Sequence, residues 1–212
     1  MIEKHDFKLL VEGKDDQHVI WALCQEQNIP ETFDVIDCNS VENAMKQFQF
    51  RLEKSSNTTR RLAIIVDADT DIHRRWESIR TIIDHTGNYQ VPDTLPEEGL
   101  ILYPKDETAM IIGVWIMPDN QLGGMLEDFI AALTSDNDPL VVKAEQIVNE
   151  LEAAQLSKYK LVHKSKAKIH TWLAWQETPG TPMGLAITKH YLSTETPICQ
   201  RFVFWINRLF NE

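Results

Sequence analysis

The sequence predicts an α/β fold in which a mostly parallel sheet is flanked by helices, followed by a helical C-terminal extension. Strand and helix patterns alternate three times between Phe7 and Asp84, which is typical of parallel strands joined by right-handed crossovers. The run Leu62–Val66 is apolar throughout, as expected for a strand buried on both faces. The predicted elements beyond residue 134 are all helices. We therefore divide the chain into an α/β domain at residues 5–134 and an extension at residues 135–212 packed on it.

The first strand is predicted at Phe7–Val11 and continues directly into Glu12. Gly13 permits a sharp turn, and Asp15 or Asp16 is expected to cap a helix that runs through Cys24. The second unit pairs a strand at 33–36 with a helix from 41 to about 54, capped by the residues after Asp37. A loop at 55–59 leads to the apolar strand, and a helix follows at 72–84, with its isoleucines and Trp76 at helical spacing.

The alternation ends after Gly87. A crossing loop is predicted at 89–99, and apolar runs at 100–103 and 109–117 predict an antiparallel hairpin. The sequence leaves open which run lies beside the central strand, and therefore on which edge of the sheet Pro118–Asn120 lie. Helices are then expected at 122–133, at 143–154 after an entry through 136–139, at 166–175, from about Met183, and at 198–210. Aromatic and leucine side chains of the last region are expected in the core: Trp172, Trp175, Phe202, Trp205, Leu209 and Phe210.

Composition narrows the classes of function. The chain has 212 residues, a net charge of −11 and three widely spaced cysteines, which favours a reduced, cytoplasmic protein and argues against a cysteine-bound zinc site. It shows no secretory leader and no apolar run long enough for a membrane span. A basic coat for nucleic acid is absent, so any phosphate must be bound locally. Lys158–Lys168 carries five lysines and one histidine without an acid, and is either such a site or a solvated helix face.

Carboxylates follow each of the first three predicted strands, although Asp37 after the second is interpreted first as a helix cap. Asp67, Asp69 and Asp71 follow the central strand, while Glu12 and Asp16 follow the first. Parallel strands place their carboxyl ends on one edge, where ligands bind in α/β sheets. If the chain stays extended there, Asp67 and Asp69 point the same way and can share one cation. Oxygen ligands favour Mg²⁺ or Mn²⁺, which predicts phosphoryl transfer or phosphodiester hydrolysis. The alternative interpretation is that these acids are helix caps and solvated turns.

Two segments carry a family resemblance. Leu-Leu-Val-Glu-Gly-Lys-Asp-Asp at 9–16 and Ile-Ile-Val-Asp-Ala-Asp-Thr-Asp at 64–71 resemble the Toprim fold of topoisomerases, primases, recombination proteins and OLD-family nucleases. The likeness spans roughly residues 5–130. It implies that Glu12 acts as a general acid or base, or as a ligand, and that Asp67 and Asp69 hold metal. The spacing from Glu12 to Asp16 is closer to the OLD-family variant.

The remainder is similar to a small bacterial family of Toprim-like proteins of unknown function, through segments at 115–120, 124–129 and 166–174. OLD-type nucleases also use a glutamate at the start of a late helix, which Glu127 resembles. They use a C-terminal lysine, for which Lys164, Lys166 and Lys168 compete, and we take Lys168 as the candidate catalytic lysine. The ATPase region of OLD proteins has no counterpart in this sequence, so a separate protein partner such as an ATPase is expected.

Other interpretations fit parts of the pattern. A receiver domain also places acids after its first and third strands, but its lysine at the end of a fifth parallel strand is not evident. A haloacid-dehalogenase-type phosphatase requires threonine or valine where Asp71 stands. Two hypotheses remain: a Mg²⁺-dependent nuclease or phosphoryl-transfer protein acting on DNA or RNA, and a non-catalytic Toprim-scaffold module that acts through a protein partner. Neither involves a membrane.

Overall fold

The computed structural model describes residues 4–54, 59–135 and 137–212. Most of the loop predicted at 55–59, and Asp136 in the entry to a later helix, lie outside the described residues. The strands are β1 (Phe7–Val11), β2 (Asp34–Asp37), β3 (Arg61–Asp67), β4 (Leu100–Leu102) and β5 (Ile111–Met117). The helices are α1 (Lys14–Glu26), α2 (Val41–Glu53), α3 (Ile72–Asp84), α4 (Leu126–Ala131), α5 (Pro139–Ala153), α6 (Lys164–Ala174), α7 (Met183–Thr188) and α8 (Pro197–Asn211).

The five strands form one sheet in the order β2-β1-β3-β5-β4. Parallel pairing joins β2, β1, β3 and β5, and β4 runs antiparallel to β5 at one edge. The predicted α/β class, with a mostly parallel sheet flanked by helices and further helices at the C-terminus, is confirmed. Right-handed helical crossovers connect parallel strands. The carboxyl ends of β1, β2, β3 and β5 therefore lie on one edge of the sheet.

The register of β5 resolves the question left open by the sequence. Asp67 at the end of β3 lies opposite Met117 at the end of β5. Pro118–Asn120 therefore follow at the same edge as the acids. Asn120 is buried there, and its side-chain oxygen accepts a hydrogen bond from the Ile116 amide at 2.7 Å.

Each face of the sheet carries its own apolar core. One face packs on α2 and α3, and the other on α1, α4 and the helices α6 to α8. Trp115 of β5 meets Phe202 and Trp205 of α8 with ring centroids 5.0 and 5.6 Å apart. The predicted core role of the C-terminal aromatics is confirmed, except for Trp175, which is 39% exposed. Trp175 lies at the C-terminal end of α6, where the chain turns away from the core.

Gly113 explains how closely α8 approaches the sheet. A Cβ at this position in β5 would overlap the Leu209 side chain and lie 3.1 Å from Trp205. Any larger residue would push α8 away from the strand.

Two helix starts differ from the sequence prediction by four residues. α4 begins at Leu126 instead of Leu122, because Asp119 closes a turn onto the Gln121 and Leu122 amides and Gly124 has a φ of 148°. α5 begins at Pro139 instead of Lys143. Its first turn is fixed by the Asp138 carboxylate, which accepts from the Leu140 amide at 2.8 Å, and proline suits the first helical position.

No helix in the described ranges is both long and apolar enough to cross a membrane. Cys24, Cys38 and Cys199 are free and buried. Burial raises the pKa of the Cys24 and Cys199 thiols to about 12, so they remain protonated.

Candidate functional site

A pocket of about 310 Å³ opens at the carboxyl ends of β1 and β3. Its walls come from the start of α1, the end of β3, the start of α4 and α6. Its charged lining residues are Glu12, Lys14, Asp15, Asp16, Asp67, Glu127 and Lys166. Five carboxylates thus meet two ammonium groups, which is the gathering of acids at one edge that the parallel topology predicts. We call this the acidic pocket.

Glu12 and Asp67 are joined across neighbouring strands. The Asp67 backbone N–H donates to Glu12 Oε1 at 2.7 Å. Asp67 Oδ1 in turn accepts from the Leu126 N–H at the first residue of α4, at 3.0 Å. Both carboxylates are therefore held in place by backbone donors, and each has a second oxygen available to a ligand.

Asp16 is buried, with 7% of its surface exposed. The N-cap position of α1 is Gly13, and Asp16 at the third helical position forms a capping box with it. The Asp16 carboxylate accepts from the Gly13 N–H at 3.1 Å, so Asp16 caps the start of the helix as expected. This bond turns the carboxylate toward the strand end and so toward Glu12.

Burial and like charge raise the pKa of the carboxyl groups in the acidic pocket. For Asp67 the pKa rises to about 9, mainly through burial and then through the charges of Glu12 and Asp16. For Asp16 it rises to about 7, again through burial first and Glu12 second. The pKa of Glu12 is also raised, mainly by burial. Such a cluster binds protons or a cation more strongly than isolated carboxylates do.

Glu127 lies in the first turn of α4 and is only 2% exposed. Lys166 Nζ lies 2.8 Å from Glu127 Oε1, and His170 Nε2 lies 3.9 Å from the same oxygen. Burial lowers the pKa of Lys166, but its bond to Glu127 and the nearby acids outweigh this and raise it overall. Lys166 is therefore a cation at neutral pH, placed at the rim of the pocket.

Asp69 and Asp71 line a neighbouring hollow together with Arg74 and Arg75. An extended chain from Asp67 to Asp69 is one course that the sequence allows, and the structure differs from this. Asp69 has a φ of 54° and its N–H donates to the Gly124 carbonyl at 2.9 Å. Its carboxylate turns to Arg75 Nη2 at 2.8 Å, while Asp71 caps α3 by accepting from the Arg74 N–H at 3.0 Å.

Comparison with known proteins identifies the family. A model of the family described as "Protein of unknown function (DUF3226)" matches residues 6–211. The chain belongs to the DUF3226 family. This agrees with the expected membership of a family of unknown function. No functionally curated protein matches this DUF3226 sequence.

Two solved structures resemble the DUF3226 chain. The C-terminal region of the Xanthomonas campestris pv. campestris OLD protein, phased with iodine, has a TM-score of 0.50 and 14% identity, covering 98% of this chain and 96% of that one. The same region phased with mercury has a TM-score of 0.41 and 13% identity, covering 98% and 87%. The first comparison shows a shared fold along nearly the full length of both chains.

The structure distinguishes the three lysines of this DUF3226 protein that are candidates for the catalytic lysine. Lys166 enters the acidic pocket, whereas Lys164 pairs with Glu152 at 2.6 Å and Lys168 lies 4.0 Å from Glu145. Both of these partners belong to α5. Positions 164 and 168 are one helical turn apart and share a face, and position 166 lies on the opposite face of α6. The chosen candidate, Lys168, is therefore placed beside α5.

Arg75 is a residue of the site that the sequence prediction missed. Its Nε donates to the Asp67 carbonyl at 2.8 Å, and its Nη2 pairs with Asp69. It thus fixes the turn after β3 from outside. The sequence feature that could have indicated Arg75 is its position four residues beyond Asp71, in the first turn of the predicted helix.

Proposed function

We propose that this DUF3226 protein binds Mg²⁺ or Mn²⁺ in the acidic pocket and hydrolyses or transfers phosphodiester groups of nucleic acid. The observation that carries the proposal is the convergence of Glu12, Asp16, Asp67 and Glu127, from four separate elements, around one small pocket. Carboxylates far apart in sequence are rarely crowded in a partly buried place unless a positive group joins them.

The donor set fits a hard divalent cation. It consists of carboxylate oxygens alone, which Mg²⁺ and Mn²⁺ prefer over the nitrogen and sulfur ligands of zinc. Within residues 4–54, 59–135 and 137–212, no group of three or more acid, histidine or cysteine side chains is arranged to hold a metal as it stands. Binding therefore requires side-chain rotations, for which the single backbone bonds of Glu12, Asp16 and Asp67 leave room.

We propose Glu12, Asp16, Asp67 and Glu127 as the residues that hold the ion. Asp69 is adjacent, since its charge contributes to the raised pKa of Glu12. A bound divalent ion would supply an activated water and offset the charge of the phosphate. Asp71 serves first as the cap of α3, and a ligand role would require it to leave the Arg74 N–H.

The other groups of the pocket suit work on a phosphate. In the alternative role of general base, Glu12 would take a proton from attacking water with the oxygen that does not accept the Asp67 N–H, and Asp16, Asp67 and Glu127 would then hold the ion. Lys166, with Lys14 at the other side of the pocket, can contact a non-bridging phosphate oxygen and stabilise developing negative charge. Lys166 is preferred over Lys168 for this role, because Lys168 lies on the side of α6 that faces α5.

Nucleic acid as the substrate class rests on the Toprim-like motifs at 9–16 and 64–71, and is supported by a fold shared with a region of an OLD protein. With a net charge of −11, phosphate contacts would be confined to the few cations around the acidic pocket.

A second function is favoured by a different surface. Large apolar side chains are exposed along α5 and the segment that follows: Leu140, Val142, Leu151, Leu156 and Leu161. Leu140 and Leu151 share one face of α5, whereas Val142 lies on the opposite face, so the helix exposes apolar side chains on more than one side. Several exposed apolar side chains are typical of contacts with another protein. They support a module that acts through a protein partner such as an ATPase, alone or together with metal-dependent chemistry.

The test is cleavage of labelled single- and double-stranded DNA and RNA by purified protein with Mg²⁺ or Mn²⁺. We expect cleavage that EDTA abolishes, that Asp67→Asn and Glu12→Gln reduce by about a hundredfold or more, and that the exposed control Asp84→Asn leaves unchanged. Cleavage that survives Asp67→Asn would come from another site or a contaminant and would refute the proposal.

A further inference from the structure

A larger pocket, of about 890 Å³, lies at the opposite edge of the sheet from the acidic pocket. Its floor is formed where β1, β3 and β5 begin. Its lining residues include Phe7, Arg60, Arg61, Tyr103, Glu107 and Thr108. Its volume is in the range of small-ligand sites, which is about 300 to 1,000 Å³.

The backbone of Arg60 is held by hydrogen bonds, whereas its side chain is available to a ligand. Its N–H donates to the Asp6 carbonyl and its own carbonyl accepts from the Ile111 N–H, both at 3.0 Å. Its guanidinium has no hydrogen-bond or salt-bridge partner in the described ranges of the chain. An exposed arginine with a fixed backbone at the floor of a pocket is suited to bind an anion.

Arg61 is held at the start of β3. Its guanidinium donates to the Leu209 carbonyl of α8 and lies 5.1 Å from the ring centroid of Phe7. These contacts fix the plane of the guanidinium but leave several of its five N–H donors for a ligand. Arg60 and Arg61 both line the pocket, so two cationic residues border it.

The opposite wall of the pocket is the loop at residues 103–109, which contains its own hydrogen bonds. Asp106 accepts from the Thr108 N–H at 2.9 Å and from the Thr108 hydroxyl at 2.8 Å. Lys105 reaches back to the Gly87 carbonyl at 3.1 Å. Tyr103 precedes these hydrogen-bonded residues, lines the pocket and is 65% exposed. An exposed aromatic face is suited to stack on a planar ring.

The charge of this pocket also differs from that of the rest of the molecule. Two arginines face a single carboxylate, Glu107, in a protein with a net charge of −11. In the acidic pocket, by contrast, carboxylates outnumber cationic groups. The balance of charge in the larger pocket favours a small anion, and the exposed Tyr103 ring favours one that carries a planar ring.

We propose that this pocket binds a mononucleotide. The phosphate would lie on Arg60 and Arg61, the base would stack on Tyr103, and Glu107 would accept an N–H from an exocyclic amine of the base. β3 has seven residues, so the two pockets lie about 20 Å apart along the strand at ~3.3 Å per residue. The proposed nucleotide site is therefore separate from the acidic pocket.

The test is calorimetric titration of AMP into the full chain in EDTA, with adenosine and inorganic phosphate as separate titrants. We expect saturable AMP binding, with both fragments much weaker. Arg60→Ala should weaken AMP binding by about tenfold or more, the loss of one charge-assisted contact, and Tyr103→Ala should also weaken it. Arg208→Ala, which removes an exposed arginine beside an aromatic ring elsewhere, and Asp67→Asn should leave it unchanged.

Three results would overturn the proposal. The first is no saturation at millimolar AMP. The second is AMP binding that Asp67→Asn abolishes and Arg60→Ala does not, which would place the nucleotide in the acidic pocket. The third is phosphate that binds as tightly as AMP, which would leave no role for the aromatic wall. Because the titration is free of metal, each result is independent of the outcome of the cleavage assay.

Discussion

Replacing Asp67 with asparagine should stabilise the folded protein in the absence of metal. Burial and the charges of Glu12 and Asp16 raise the pKa of Asp67 from 3.8 to about 9. Between these two values the folded chain binds one more proton than the unfolded chain. The free energy of unfolding therefore falls as the pH rises through this window.

The size of the effect follows from the same shift. One pKa unit corresponds to about 1.4 kcal/mol, and part of the shift is shared with Asp16 and Glu12. At about pH 7 the cost of Asp67 in the folded state is therefore on the order of 3 kcal/mol. Asparagine carries no charge and retains an oxygen that can accept the Leu126 N–H, so most of this cost should disappear in Asp67→Asn.

The assay is urea denaturation in EDTA, followed by circular dichroism, at about pH 4, 6 and 8. Asp67→Asn should come close to the wild type near pH 4, where the carboxyl group is protonated in the folded chain and about half protonated in the unfolded chain, and exceed its stability progressively at higher pH. Asp84→Asn, at the exposed C-terminal end of α3, should show no such trend. A stability difference that is independent of pH, or a destabilised Asp67→Asn at pH 8, would refute the reasoning.

Three further predictions concern the pocket and its support. Lys166→Ala should lower metal-dependent cleavage by about a hundredfold and Lys168→Ala by less than about threefold, measured as initial rates on one labelled substrate; equal losses would contradict the assignment. Gly113→Ala should destabilise the chain by about 1 to 3 kcal/mol in urea, because the new Cβ overlaps the end of the Leu209 side chain, and an unchanged midpoint would show that Leu209 and α8 shift freely. Asp138→Ala should cost about 2 kcal/mol in urea, because it removes the cap of α5 and the acceptor of the Trp172 indole N–H at 2.7 Å; a loss below about 0.5 kcal/mol would contradict this.

Much of the fold follows from local sequence patterns. Apolar runs bounded by glycine or acids predict β1 and β3. Helical spacing predicts α3 with the same first and last residues as in the structure. The order of strands beyond Gly87 does not follow from such patterns. Pairing of β5 with β3 depends on contacts between residues about fifty positions apart, for which a local pattern contains no information.

The candidate site was predictable in its location but not in its detail. Glu12 and Asp67 come together because parallel strands end on one edge. Asp69 does not join them, because a tertiary bond to Gly124 holds it in the left-handed region and Arg75 takes its carboxylate. The choice of Lys166 over its neighbours depends on the rotation of α6 about its axis, which packing against α5 sets.

The most direct test of the account is calorimetric titration of Mn²⁺ into the wild type and Asp67→Asn at about neutral pH in buffers of different ionisation enthalpy. We predict saturable binding to the wild type with release of about one proton or more, because the raised pKa of Asp67 keeps its carboxyl group protonated until the cation binds. The binding should be lost or greatly weakened in Asp67→Asn. No saturable heat at millimolar Mn²⁺, or equal binding by both proteins, would contradict the assignment of the acidic pocket as a metal site.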